Sequence, residues 1–423
     1  MVKSFVVTAL GDCLMYQKLS IFTEPEYLKL VETIRKSDLS VANLETLLHD
    51  YEENAYPSPE SGGSWARAPP EMVEELKWLG VDIVSTANNH SLDYLYGGLF
   101  KTIEHLDKAG IKYAGTGRNL AEARKPTYLD TPKGKVGFIS ASSTFASLGR
   151  AGPARRDLHG RPGLNPQRYE TYYTTTKENL DQIEKLSRLF EPTSKKNEYF
   201  GKKFRIGDTS EKITEPNRQD MEGNLESIRE AKRQSDFVVF SFHTHEGLDS
   251  DHDRPAIFAE EFSRACIDAG AHMVMGHGAH IIRGIEIRNN NPIFYSLGNF
   301  LYQNFSADKI PAEFYMKFGL DPYIGMPGDV FDAREKNHHA YSSKDAYKRW
   351  ISFLPRMKFD DGKLVELNLY PIHLNQDKPR SQRGRPMIAT GLEAEKILKT
   401  VKELSSIYGT EIVIKEEVGE VVL

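Results

Sequence analysis

The chain has 423 residues, 39% hydrophobic and 27% charged, with a formal net charge of −5. That is ordinary globular composition, enough for one large domain or two smaller ones. No large basic block is present, which argues against nucleic acid as a partner. Cys13 and Cys266 are too few and too far apart for a disulfide scaffold, so a reducing, cytoplasmic setting is expected. Val2 to Leu10 reads as a first strand and not as a signal peptide. No run reaches the roughly 18 apolar residues of a membrane span, so no membrane anchor is expected.

The first half alternates strand and helix. The pattern predicts strand at Phe5–Leu10, helix at Glu24–Lys36 and strand at Leu39–Ala42. Pro69-Pro70 starts a helix through Leu79, with proline in the first turn as helices prefer. Strand is expected at Val81–Thr86, helix at Leu99–Ala109, and strands at Ile111–Ala114 and Val136–Ser140. This βαβα rhythm predicts an α/β fold.

Residues 145–235 break the rhythm and read as an insertion, a lid or substrate-binding segment, with a helix at Thr176–Leu189 and a polar loop at Thr193–Gln219. Alternation returns with strand Asp236–Phe242, helix Pro255–Ala269, strand Ala271–Met275, and strands near Ile281–Ile287 and Ile293–Ser296. We divide the chain into a domain at 1–305 and a C-terminal extension at 306–423 packing on it. The extension holds an aromatic, loop-rich stretch at 306–348, a hairpin about Asp361-Gly362 and an amphipathic helix at Leu392–Leu404.

Six predicted strands end abruptly in polar residues of the kind that hold metal ions. Loops leaving the carboxyl ends of strands line the crevice of α/β folds, so these six should converge. Asp12 follows the first strand, and Glu45 ends Asn43-Leu44-Glu45. Asn89 and His90 follow the strand at Val81–Thr86, with Asp93 near enough to orient the imidazole. His243 and His245 sit two apart at a strand end, on one face. His277 and His280 flank a tight Gly278-Ala279 turn. We assign Asp12, Glu45, Asn89, His243 and His245 to a metal, and His90, Asp93, His277 and His280 to acid–base work. Arg67, Arg161, Asn165 and Asn299 are candidates for holding an anionic substrate. No phosphate-binding Gly-x-x-x-x-Gly-Lys loop, Gly-x-Ser-x-Gly elbow or His-Glu-x-x-His motif occurs.

Together these segments resemble the CapA family, named for poly-γ-glutamate capsule synthesis. The resemblance rests on Gly11-Asp12, Asn43-Leu44-Glu45, Ala87-Asn88-Asn89-His90 with Asp93, His243, Gly276-His277-x-x-His280 and Tyr295-Ser296-Leu297-Gly298-Asn299-Phe300. The family is similar to calcineurin-like metallophosphoesterases. That likeness implies a four-layer α/β/β/α sandwich with the site at the sheets' carboxyl edge. The chain departs from the full phosphoesterase set. Leu14 stands where a histidine is expected, Asn43-Leu44-Glu45 replaces Gly-Asp, and Gly-His-Gly-Ala-His is one residue longer than Gly-His-x-His. We therefore expect one divalent ion (Ca, Mn, Mg or Zn) and a peptide or carboxylate-bearing substrate. The chemistry would be hydrolysis or Cα proton transfer, as in family members that resemble peptide epimerases. The alternatives are a degenerate phosphoesterase and a capsule-synthesis protein that binds polyglutamate without catalysis.

Overall fold

The computed structural model describes residues 4–52, 54–249, 251–339 and 347–423. The architecture is α/β and built around two large sheets. The first runs, in spatial order, through Ile412–Lys415, Val418–Val421, Lys363–His373, Ile351–Asp360, Phe5–Leu14, Leu39–Leu44, Ile83–Ser85 and Lys112–Ala114. Asn299–Tyr302 also pairs with Phe5–Leu14. The second sheet runs through Ile285–Arg288, Asn291–Phe294, Met273–His277, Phe237–His243, Gly134–Ser142 and Thr127–Thr131.

The central strands of both sheets are parallel and bury every residue of Phe5–Leu14, Leu39–Leu44 and Phe237–His243. Continuous apolar runs are what a strand covered on both faces requires. Val7, Val41 and Ile83 of the first sheet share one apolar cluster with Phe138, Val239 and Met275 of the second. The other face of the first sheet packs on helices Pro25–Arg35 and Met72–Leu79, through Leu30, Ile34 and Leu76. The other face of the second packs on helices Arg218–Gln234 and Ile257–Asp268, through Ile228 and Phe262. Within Pro25–Arg35 the buried residues are Tyr27, Leu30, Val31 and Ile34, one stripe at helical spacing.

Two readings of the middle region change. Thr193–Gln219 is not loop: Glu198–Tyr199, Lys202–Ile206 and Glu211–Pro216 join Tyr169–Thr175 in a four-stranded sheet. These strands read as polar because Lys202–Ile206 is exposed along nearly its whole length, so no buried face writes an alternation. The helix Arg218–Gln234 was also unforeseen. Its signals are present: Asn217 caps Asp220 N–H at 3.1 Å, and Leu225, Ile228 and Ala231 line its buried side. In 306–348, helices occupy Ala312–Lys317 and Pro327–His339.

At the amino ends of the second sheet's strands, His272 is 6% exposed and stacked on Phe237. Burial, then the charge of Lys232, holds its pKa down to about 4. A histidine depressed in this way contributes stability above its unfolded value near 6.5, and that stability is lost as pH falls toward 4. His272→Gln removes the titration. We expect the stability gap between wild type and variant in urea melts to shrink by about 3 kcal/mol from pH 7 to pH 4. A constant gap would contradict this.

Candidate functional site

The carboxyl ends of the parallel strands meet where the two sheets face each other. Asp12 pairs in register with Asn43 on one side and Asn299 on the other, and His243 pairs with His277. Glycines allow the approach. A Cβ at Gly11 would lie 2.0 Å from the Gly298 carbonyl oxygen, and one at Gly278 would lie 2.9 Å from the His243 ring. Gly278 has φ +102° and donates its N–H to both Asp12 oxygens, at 3.0 and 2.9 Å. His280 adopts φ +59°, a strained conformation for a non-glycine residue, which turns its ring back toward Asp12 and Glu45.

Two three-residue groups result. Asp12, His243 and His277 form one, and Glu45, His245 and His280 the other; within each, one ligand atom per residue lies within 4.8 Å of the others. The groups adjoin. His243 Nε2 is 3.1 Å from His245 Nε2, and His280 Nδ1 is 3.4 Å from Asp12 Oδ2. Asn43 Nδ2 lies between them, donating to Asp12 Oδ1 at 2.9 Å and to Glu45 Oε2 at 3.4 Å.

The electrostatics fit a cation. Burial alone would raise the Asp12 carboxyl, but hydrogen bonds and charge from His277 and His280 hold it well below the carboxylate range. Glu45 goes the other way, pushed well up by burial and then by the Asp12 charge. Glu45 Oε1 is buried without a hydrogen-bond partner. A buried acceptor in that state is costly, and a cation beside it would reverse the balance. Burial, then neighbouring imidazoles, keeps His243 and His245 well below the usual histidine value, so both are neutral and ligand-competent. His277 is oriented from behind by Ser241 Oγ at 2.7 Å from Nε2, and His280 by Asn299 Oδ1 at 2.9 Å from Nδ1. Such outer partners fix tautomer and ring direction. One carboxylate with two imidazoles is a donor set suited to Zn²⁺ or a related divalent ion.

His90 stands at the edge. Its Nδ1 meets Asp93 Oδ2 at 2.6 Å, and its Nε2 is 4.0 Å from Glu45 Oε1. Asp93 is itself fixed by the N–H groups of Ala66 and Gly62, at 2.7 and 3.1 Å.

The candidates separate clearly. Asp12, Glu45, His243, His245, His277 and His280 converge, with His90–Asp93 adjoining and Asn299 behind His280. His277 and His280, assigned to acid–base work from sequence, stand within the ligand groups. Asn89 instead holds the Gly62 carbonyl at 2.7 Å; the amide linked to the cluster from this loop is Asn88, which donates to Asn43 Oδ1 at 3.2 Å. Asn165 is fully buried and bonded to Ser140 O and Asn224 Oδ1, and Arg161 donates to Arg150 O. Sequence reasoning passed over Asn43, although it lies inside a quoted motif, and Ser241, which strand period places on the face of His243. It also missed Arg283, which is 1% exposed and donates to the His245 carbonyl at 3.2 Å.

Arg67 serves a different end. Its side chain is 3% exposed, donates to His49 O, pairs with Asp50 and Asp308, and lies over the Tyr51 ring at 4.3 Å. It thus ties 49–51 to the segment after 305. Both acids are largely exposed, so the ion pairs themselves are worth little. Arg67→Ala is expected to cost about 1–3 kcal/mol, mainly through the orphaned carbonyl and lost packing, and to leave metal content unchanged. Loss of bound metal in this variant would instead place Arg67 in the site.

Fold and site together define an α/β protein with a buried histidine–carboxylate centre at its strand ends. The sequence pattern of the bacterial capsule synthesis protein family, PGA_cap, matches residues 6–304, and the chain belongs to that family. It is 33% identical to the uncharacterized protein y4sH of Sinorhizobium fredii over 432 residues, covering 99% of this chain and 93% of that one. It is 24% identical to the PGA biosynthesis protein CapA of Bacillus subtilis, over 70% of this chain and 64% of that one. A probable polyglutamine synthesis accessory protein of Mycobacterium tuberculosis is 24% identical over 90% of this chain and 76% of its own. Among the described residues, no helix is long and apolar enough to cross a membrane.

Proposed function

We propose that this chain is a metal-dependent enzyme that acts on a peptide or amide-like, carboxylate-bearing substrate by acid–base chemistry, through hydrolysis or Cα proton transfer. The observation that carries the reading is the pair of adjoining carboxylate–imidazole groups beside an oriented His90–Asp93 dyad. The names of the relatives, which concern PGA and polyglutamine synthesis, support an amide polymer as the substrate class. The helices outside two facing sheets support the four-layer calcineurin-like sandwich as the scaffold.

Asp12, His243 and His277, and Glu45, His245 and His280, would hold the ion or ions. When bound, a divalent ion supplies Lewis acidity toward a carbonyl oxygen. The chain supplies the rest. Asp93 holds the proton on His90 Nδ1 and so presents Nε2 as a base. Ser241 and Asn299 keep the ligand imidazoles in register. Burial of Asp12, Glu45, His243 and His277 excludes water from the centre.

A second reading, phosphoester hydrolysis, is favoured by one observation: two ligand groups adjoin, as a two-metal clamp requires. The test separates the readings. Metal content is measured on the purified chain, and the metal-loaded protein is then incubated in heavy water with glutamyl peptides, and separately with an aryl phosphate. Deuterium at Cα marks proton transfer, cleaved peptide marks hydrolysis, and phosphate release marks the second reading. Metal-free protein that takes up no Mn²⁺ or Zn²⁺ would end both.

A further inference from the structure

The insertion carries a feature that this function does not use. Its helix Lys177–Phe190 lies against strands Glu198–Tyr199 and Lys202–Ile206, and buries only Leu180 and Ser187. At its carboxyl end Leu186, Leu189 and Phe190 share one side, at i, i+3 and i+4, and are 53%, 74% and 72% exposed.

The hairpin that follows brings a fourth apolar side chain to them. Tyr199 pairs with Lys202 across the two-residue turn Phe200-Gly201, whose φ values are +52° and +68°. Hairpin turns with positive φ at both positions ordinarily take Asn-Gly. A bulky residue there is strained, because its Cβ crowds the backbone in the left-handed region. Burial does not offset that strain. Phe200 is 43% exposed, and its ring faces that of Phe190, itself exposed, with centroids 6.5 Å apart. Glu191 Oε2 accepts the Phe200 N–H at 3.1 Å, which ties the turn to the helix end. Scattered apolar residues on a surface need no explanation, but a group of four held together does.

The same segment is basic. Residues 184–205 hold seven Lys or Arg and three Glu, a net charge of +4 in a chain of −5 overall. Arg188, Lys203 and Arg205 are paired with Glu184, Glu170 and Glu215. Among the described residues, Lys185, Lys195, Lys196 and Lys202 enter no salt bridge, and all four are exposed.

That combination selects the partner. A soluble polyanion would meet the lysines but leave the four apolar side chains in water. A second copy of the same surface would set lysine against lysine. An anionic bilayer satisfies both requirements. Apolar tips enter the boundary between headgroups and acyl chains, while lysine stems lie along it with their ammonium groups among the phosphates.

We propose that this tip of the insertion, Leu186, Leu189, Phe190 and Phe200 with the lysines around them, docks on the surface of a membrane containing anionic lipid. The contact is peripheral, made by side chains at the headgroup boundary. It is independent of the metal centre.

The test floats the intact chain with phosphatidylcholine vesicles and with phosphatidylcholine–phosphatidylglycerol vesicles. Binding should require the anionic lipid and weaken as salt rises. Phe190→Ser combined with Phe200→Gly should reduce it about tenfold or more. Phe200→Gly alone relieves the positive φ, so its thermal midpoint should not fall, and weaker binding by that variant is not a folding defect. Lys195→Gln combined with Lys196→Gln should lower binding to the anionic vesicles. No binding of the wild type to them would overturn the proposal. So would binding that the double phenylalanine variant retains in full, since attraction of a basic loop for any polyanion would then explain it. Self-association of the wild type, lost in that variant and without vesicle binding, would assign the tip to a second copy and overturn the proposal as well. None of these outcomes depends on metal content.

Discussion

Asp12→Ala is expected to abolish divalent-metal uptake by the proposed centre. Asp12 contacts both groups, through His277 at 3.5 Å and His280 at 3.4 Å. Changes to outer partners of a metal site typically cost about 10–100-fold in affinity, and loss of a ligand should exceed that. Mass-spectrometric metal content should fall to background. The variant also leaves the Gly278 N–H and the Asn43 amide without their shared acceptor in a fully buried place. An orphaned buried donor costs about 1–3 kcal/mol, so the thermal midpoint should drop as well. Asp12→Asn keeps the volume and one acceptor oxygen. It should recover most of the stability and none of the metal. Full metal occupancy in both variants would show that Asp12 is not a ligand.

Gly278→Ala is the second large effect expected. The added methyl would sit 2.9–3.0 Å from three atoms of the His243 ring, and the residue would have to adopt φ +102°. Such a conformation costs on the order of 1–3 kcal/mol for a residue with a Cβ. Displacing a buried ring adds overpacking of about 1–3 kcal/mol. Together we expect about 2–6 kcal/mol of destabilisation in denaturant melts, with loss of metal, because both His243 and the two hydrogen bonds to Asp12 move. Gly110→Ala is the control. It too has positive φ, +75°, but nothing lies within 4 Å of its Cβ position. It should cost only the backbone part and leave metal content intact. Equal losses from both variants would show that the contact with His243 carries no weight.

Much of the site was legible because each ligand follows a buried parallel strand. A run such as Phe237–His243 must be apolar until it leaves the sheet, so a histidine at its end stands out against a silent background. The same logic exposed Asp12, His277 and the Asn88–Asp93 loop. It failed where the background was not silent. Lys202–Ile206 is exposed, and its strand character comes from pairing with Tyr169–Thr175, which no local pattern reports. Helix Arg218–Gln234 carries so many charges that its narrow apolar stripe was lost within a polar stretch. Arg67 reads as a substrate holder because it precedes a helix N-terminus, and Asn165 because it follows Arg161 in a Gly- and Pro-rich stretch. Their partners, Asp308 and Asn224, are remote in sequence.

The sequence by itself determined the α/β class, the family and the ligand types, since burial of strands and the chemistry of their ends are local properties. Tertiary structure decided how those ligands are shared. Asp12 and His277 are 265 residues apart and meet only because Phe5–Leu14 and Met273–His277 belong to facing sheets whose carboxyl ends coincide. Only that juxtaposition sorts six side chains into two adjoining groups and sets Asn43 between them. It likewise ties Arg67, read from sequence as an anion holder, to Asp50 and Asp308. Each of these depends on distances between segments far apart in the chain, which periodicity along it does not encode.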